Sequence, residues 1–240
     1  MCTVSWLHEP HGYQLFCNRD ERKTRKPAAG PRIQRRDGVW FLAPEDGEAG
    51  GTWIGTNEFG LTLCLLNGRG RARIPERPRS RGLLLPDLLS SVSIEEALER
   101  VDRFDLSFYA PFTVAMLEPG CHAGLAEWNG RDRIILPFGE PFLPLVSSSF
   151  DPDGVARSRR DQFRRQLSQT GRERGEAHQS FHRSHSPHAG PYSPCMHRAD
   201  AETVSFTWVR VNALRAEWRH TPAAPCQASR VETVGLSLRQ

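Results

Sequence analysis

The stretch Met1-Cys2-Thr3-Val4-Ser5-Trp6-Leu7-His8-Glu9-Pro10-His11-Gly12-Tyr13-Gln14-Leu15-Phe16-Cys17-Asn18-Arg19-Asp20-Glu21 decides how the rest of the chain is read. Thr3 to Leu7 and Tyr13 to Cys17 are rich in β-branched and aromatic residues, and Pro10 and Gly12 mark a tight turn between them. The spacing predicts a hairpin that returns Asn18, Arg19 and Asp20 to the neighbourhood of Cys2. Removal of Met1 would leave a thiol and a free α-amine on Cys2. An ordinary thiol, with a pKa near ~8.5, is only slightly ionised at neutral pH and needs a base; an α-amine with a pKa of about 7.7–8.0 supplies one. A carboxylate at Asp20 would hold the ammonium or the thiol, and the Arg19 guanidinium would lower the thiol pKa. The same residues also fit a plainer reading, a small residue at position 2 and a charged turn continuing into Arg22, Lys23, Arg25 and Lys26.

Three further segments lie outward from this start: Gly50-Gly51-Thr52-Trp53-Ile54-Gly55, Leu63-Cys64-Leu65-Leu66-Asn67 and Cys195-Met196-His197-Arg198. Taken in order with Met1-Cys2-Thr3 and Asn18-Arg19-Asp20-Glu21, they resemble the NRDE family, which includes the transport-and-Golgi-organisation protein two of eukaryotes. The resemblance spans nearly the whole chain. It implies an α+β fold, a four-layer αββα sandwich of the N-terminal-nucleophile hydrolase type. A more distant similarity is to cysteine N-terminal-nucleophile amidases such as bile salt hydrolases and penicillin V acylases. It implies an amidohydrolase or acyltransferase acting on a linear amide or acyl substrate, with Cys2 as nucleophile, Arg19 and Asp20 tuning and positioning it, and Asn67 where those amidases place an oxyanion-hole asparagine. Donors fixed at a developing oxyanion are worth several kcal/mol in a dry site. Asn67-Gly68 is also an ordinary turn pair.

Two departures bear on catalysis. Leu145-Val146-Ser147-Ser148-Ser149-Phe150 carries serines where those amidases have a second asparagine. Glu202 stands just before Thr203-Val204-Ser205, where many bacterial members resemble one another in carrying arginine; Arg198 is the candidate substitute. Relatives are also associated with haem mobilisation and with lipid or acyl-CoA metabolism. The resemblance therefore admits a non-catalytic haem or acyl-CoA trafficking protein, with His11, His197 or Cys195 as contacts.

The chain has 240 residues, 38% of them hydrophobic, and a formal net charge of +4, which fits one globular domain over residues 1–240. No apolar run approaches the ~20 residues of a membrane helix, and Trp6-Leu7 is followed at once by His8-Glu9 rather than by a signal-peptide core. A cytoplasmic location is expected. The six cysteines are scattered with no Cys-x-x-Cys pair, so disulfides are not expected, and Cys17 and Cys64 read as small buried hydrophobes. Neither a metal nor a cofactor is expected. Arg69, Arg71, Arg73, Arg77, Arg79 and Arg81, interleaved with Gly70, Pro75 and Pro78, read as a mobile basic loop that would meet an anionic ligand or simply face solvent. Nothing resembles a nucleic-acid module. The expected partner is a small-molecule amide, acyl or haem-like ligand, and assembly into a homo-oligomer is left open.

Ser93-Ile94-Glu95-Glu96 is a capping box, and Ile94, Ala97, Leu98 and Val101 give the helix that follows one apolar face. Pro111 to Leu117, Ala123 to Trp128 and Arg133 to Leu136 read as a meander turning at Pro119-Gly120 and Asn129-Gly130. A second helix is predicted from about Asp153 to Leu167, with Arg157, Arg159, Arg160, Arg164 and Arg165 on a charged face opposite Val155, Phe163 and Leu167. Strands are predicted over Thr203 to Val211, Ala213 to His220 and Arg230 to Leu238. In His178-Gln179-Ser180-Phe181-His182-Arg183-Ser184-His185-Ser186-Pro187-His188, the pair His178 and His182 has metal-ligand spacing, but no carboxylate lies inside the run and Ser186-Pro187 breaks any helix. A surface loop is expected instead, either simply facing solvent or overhanging the pocket and bringing His185 or His197 to a ligand. Asn18, His185, His197 and Arg198 are the candidate ligand contacts.

Overall fold

The computed structural model describes residues 2–68, 75–120, 122–137, 142–169, 171, 173–227 and 230–239. The expected removal of Met1, and the Arg69, Arg71 and Arg73 part of the basic loop, lie outside the described residues. The elements run in chain order as strands β1 (Cys2–Glu9), β2 (Gly12–Arg22), β3 (Ala29–Arg36), β4 (Val39–Glu45), β5 (Ile54–Asn57) and β6 (Thr62–Asn67), then helices α1 (Leu85–Leu88) and α2 (Ile94–Arg103). Strands β7 (Phe112–Glu118), β8 (His122–Trp128), β9 (Arg133–Pro137) and β10 (Leu145–Val146) follow. Helices α3 (Pro152–Leu167) and α4 (Arg174–Arg183) and strands β11 (Ala201–Val211), β12 (Arg215–Thr221) and β13 (Glu232–Ser237) complete the chain.

The strands form two antiparallel sheets, one ordered β10-β1-β2-β11-β12-β13 and the other β3-β4-β5-β6-β7-β8-β9. Alternation along β1 and β2 sends Cys2, Val4, Trp6, Tyr13, Leu15 and Cys17 towards the second sheet, where they meet Leu42, Ile54, Cys64, Leu66, Ala115 and Leu117. Polar tips cross the gap as well: the Tyr13 hydroxyl donates to the Gly60 carbonyl at 2.7 Å, and the Trp218 indole donates to Thr56 at 3.1 Å. Helices α3 and α4 cover the outer face of the first sheet, and α1 and α2 cover the second. The result is the four-layer αββα sandwich, with central strands such as β1, β5 and β6 buried on both sides and the edge strand β3 largely exposed.

Local chemistry explains the ends of these elements. Ser93 accepts from the Glu96 amide at 3.2 Å and the Glu96 carboxylate takes the Val92 amide at 2.8 Å, which caps α2. Gly12 sits where a Cβ would lie 1.9 Å from the Val211 carbonyl oxygen, so the β1-β2 turn tucks against β11 only with glycine there. Three expectations need correction. The segment from His178 is not a loop up to Ser186, because α4 runs over Arg174–Arg183 and buries His178 and His182. Arg159 does not belong to the charged face of α3. It is 1% exposed and shares the inward stripe with Val155 and Phe163, four residues to either side. The basic loop is pinned where it is described, since the Arg79 amide donates to the Phe108 carbonyl at 2.9 Å and Arg81 lies in a short 3-10 turn.

Candidate active site

Cys2 opens β1 directly opposite Arg19 on β2, and Thr3 lies opposite Asn18. Facing residues in an antiparallel pair project to the same side of the sheet. The pleat therefore divides the Asn18-Arg19-Asp20 run: Arg19 joins Cys2 on the side of the second sheet, while Asn18 and Asp20 join Thr3 under the helices.

On the Cys2 side lies a cavity of about 450 Å³, lined by Cys2, Arg19, Asn67, Trp53, Asp46 and Arg81 among others. The Arg19 guanidinium lies over the Trp53 ring at 4.0 Å and meets the Asp46 carboxylate at 2.5 Å. Arg25 reaches the same carboxylate at 2.8 Å. Burial alone would raise the Asp46 pKa, but the Arg25 hydrogen bonds, the Ala49 amide and the Arg19 charge hold it down to about 2. Arg81 donates to the Pro111 carbonyl at 2.8 Å. Asn67, at the exposed end of β6, reaches the cavity from the second sheet.

The backbone of Cys2 is held by a short strand the sequence did not signal. β10 pairs with β1, the Ser147 amide donates to the Cys2 carbonyl at 2.9 Å, and the Cys2 nitrogen donates to Ser147 Oγ at 2.9 Å. Cys2 is 3% exposed. The hydrogen bond with Cys17, and then burial, push its thiol well above the ordinary cysteine range. Arg19, expected to lower it, is paired with Asp46, and the Cys17 sulfur is the largest influence on the thiol.

Under the helices, Asp20 accepts from Arg159 at 3.1 Å and from the Thr203 hydroxyl at 2.7 Å, and Arg159 also donates to Thr3. Asp20 and Arg159 side chains are each 1% exposed, so this is a buried ion pair, and Arg159 rather than Arg19 is the partner of Asp20. The Asn18 amide donates to the His182 and Pro194 carbonyls, both at 2.9 Å, which ties α4 and the segment after it to β2. Ser5 bridges His178 Nδ1 at 2.8 Å and His182 Nε2 at 2.9 Å. His185, His197 and Arg198 are not among the residues lining the Cys2 cavity. Arg198 pairs with Asp200 at 2.7 Å, while His197 approaches Cys195 and Cys226. Glu202 pairs with Lys23 at 3.7 Å and lines a neighbouring cavity of about 320 Å³, which shares Arg19 and Trp53 with the first. Ser148 turns back on its own loop, accepting from the Phe150 amide at 3.1 Å and donating to its carbonyl at 2.7 Å.

Sequence reasoning missed Ser147 as a Cys2 partner, Arg159 as the counter-ion of Asp20, and Asp46 as a cavity residue. The four-residue spacing of Val155, Arg159 and Phe163 was a usable signal for Arg159. No local pattern distinguishes Asp46 from other acidic turn residues.

Two sheets face to face between helical layers, with a cysteine at the head of an inner strand and a cavity beside it, define an N-terminal-nucleophile hydrolase fold. Solved structures agree with it. A Caenorhabditis elegans ortholog of N-acylethanolamine-hydrolyzing acid amidase superposes with a TM-score of 0.58 at 13% identity, covering 87% of this chain and 92% of that one. A mutant of conjugated bile acid hydrolase from Clostridium perfringens superposes with a TM-score of 0.54 at 10% identity, covering 100% and 97%. Residues 1–134 match the Transport and Golgi organisation 2 family, and the chain belongs to that family. A search of curated proteins found no significant match. No described helix is long and apolar enough to cross a membrane.

Proposed function

We propose that this protein is a cysteine N-terminal-nucleophile amidohydrolase or acyltransferase whose substrate is a linear amide or related acyl compound bearing an anionic group. The observation that carries this reading is the convergence of Cys2, Arg19 and Asn67 on one cavity, with the Cys2 nitrogen held by Ser147. Once Met1 is removed, that nitrogen is an amine already oriented by a hydroxyl. Cys2 Sγ attacks the acyl carbonyl as its proton passes to the α-amine, and the Asn67 amide donates to the oxyanion. Collapse breaks the carbonyl–nitrogen bond, the leaving amine takes the proton from the ammonium, and a thioester remains. Water, or an acceptor nucleophile, then releases the acyl group and returns the proton to sulfur. Arg19, Arg22, Arg25 and Arg81 against Glu21 and Asp46 give the cavity lining an excess of positive charge that favours an anionic substrate.

Intact mass spectrometry of the purified protein, before and after a thiol-directed electrophile, tests the first step. Loss of Met1 and faster labelling of Cys2 than of Cys226 are expected, with Cys17 and Cys64 unlabelled. Retained Met1, or preferential labelling of Cys226, would remove the nucleophile from the scheme. A second reading, a carrier for acyl-CoA or haem, draws support from the same cationic lining. Salt-sensitive binding of acyl-CoA or haemin that is unchanged in Cys2→Ala, without turnover of any acyl amide, would favour the carrier.

A further inference from the structure

The segment after α4 and the turn between β12 and β13 bring together His185, Cys195, His197 and Cys226, whose candidate ligand atoms all lie within 4.8 Å of one another. These residues come from three separate stretches of chain. His185 follows the end of α4, Cys195 and His197 flank Met196, and Cys226 sits in the turn where the Gln227 amide donates to the Ala224 carbonyl at 2.9 Å. Both sulfurs approach one nitrogen: His197 Nε2 is 3.5 Å from Cys195 Sγ and 3.4 Å from Cys226 Sγ. The His185 and His197 rings stand edge to face at 5.1 Å. Cys195 is also hydrogen-bonded to Cys226, so four side chains of the metal-ligating type converge within one small cluster.

The distances suit a cation. With bonds of about 2.3 Å to sulfur and about 2.0–2.1 Å to nitrogen, a tetrahedral zinc site places its ligand atoms about 3.3–3.8 Å apart. The two sulfur–nitrogen separations already fall in that range, and the widest pair needs to close by only about 1 Å. We propose that His185, Cys195, His197 and Cys226 form a structural zinc site. Two thiolates neutralise the charge of the ion on releasing two protons, two neutral imidazoles complete the tetrahedron, and no position is left open for substrate. The mixed sulfur and nitrogen set selects zinc over magnesium or calcium, which take oxygen ligands.

The surroundings show what such a site would brace. Cys195 to His197 is already fastened to its neighbours: the Cys195 amide donates to the Ser184 carbonyl at 3.1 Å, the Thr203 amide donates to the Met196 carbonyl at 2.9 Å, and His197 bridges to Glu202. Cys226 is exposed, and its turn contributes Ala224 and Gln227 to the smaller cavity, opposite Arg19 and Trp53. Zinc would therefore staple the β12-β13 turn to the end of α4 and fix one wall of the cavity that adjoins Cys2.

The test is metal analysis of the full-length chain purified with thiols reduced, incubated with zinc and dialysed. Retention of about one zinc ion per chain is expected. Exchange with cobalt should give sulfur-to-cobalt charge transfer and the intense visible bands of tetrahedral Co²⁺. Cys226→Ser and His197→Ala should each lose the metal, while His188→Ala, which changes an exposed histidine of the same segment, should keep it. Cys226 is exposed, so its variant is expected to fold, and circular dichroism would verify this. Wild-type protein that holds no zinc, zinc retained equally by Cys226→Ser, or a Cys195–Cys226 disulfide recovered under reducing conditions would each overturn the proposal.

Discussion

The two faces of β2 do opposite work. On one face Cys17 and Arg19 look into the space between the sheets, where Arg19 borders the cavity with Cys2 and shares the Asp46 carboxylate with Arg25. On the other, Asn18 and Asp20 are sealed under α3 and α4, and each of their described bonds goes to another part of the chain. The lesson is that adjacency in a strand separates roles: neighbouring residues of the Asn18-Arg19-Asp20 run stand on opposite sides of a sheet. One face is available for chemistry, and the other secures the helices that hold the first sheet in place.

The largest effect separates the faces by activity. Cys2→Ala should abolish acyl turnover while lowering stability by only about 1 kcal/mol, since a small buried side chain loses little packing. Turnover measured beside a thermal melt checks this, and a variant that melts far below the parent would make Cys2 a packing residue instead.

Next in size is the buried pair. Asp20→Asn should cost about 3–5 kcal/mol, because it leaves the Arg159 guanidinium buried without its counter-charge. Combining it with Arg159→Met should recover part of that loss. Urea unfolding of the two single variants and the double would expose additive losses, and additivity would mean that the ion pair is not coupled.

Asn67→Ala tests the cavity face at a distance from the nucleophile. Turnover should fall about 10²–10³-fold, as for loss of one oxyanion donor, with KM and melting temperature little changed. A loss confined to KM would make Asn67 a binding residue rather than a donor to the oxyanion.

The pH dependence of stability also tells the faces apart. Burial, with the nearby Arg174 charge, holds His178 down to about 3, and His182 is likewise held below its ordinary range. The unfolded chain takes up these protons near pH 6.5 and the folded chain does not. Stability from the neutral His178 is therefore complete above about pH 6.5 and falls as pH drops towards 3, by up to about 1.4 kcal/mol per unit, and His182 adds a loss of the same sign. Asp46, with its pKa near 2, loses its contribution only between about pH 4 and 2. Unfolding free energies across this range should show the helix-side loss first, and His178→Phe should reduce that early slope without moving the later one.

Much of the frame was legible because it rests on local rules. The Pro10 and Gly12 turn, the Ser93 cap, the Asn129-Gly130 turn and the β7 to β9 meander are set by residues a few positions apart. The helix containing His178 and His182 was harder to read, because its buried face mixes two histidines bonded to Ser5 with Ala177 and Phe181. Arg159 was misplaced for a related reason: a buried arginine looks like a surface one until its carboxylate is known.

By itself, then, the sequence determined the hairpin that sets Cys2 beside Arg19, the αββα order of elements and the nomination of Asn67, since strand pairing across a short turn and ordered motifs need no distant partner. Only the tertiary structure decided that Asp20 answers to Arg159, that Arg19 answers to Asp46, that Ser147 holds the Cys2 nitrogen, and that Cys226 comes within 3.4 Å of His197. Each of these contacts joins residues far apart in the chain. Charges and hydrogen-bonding groups are sold to no particular partner by their identity, and the packing of the layers selects which of many chemically equivalent groups come within reach.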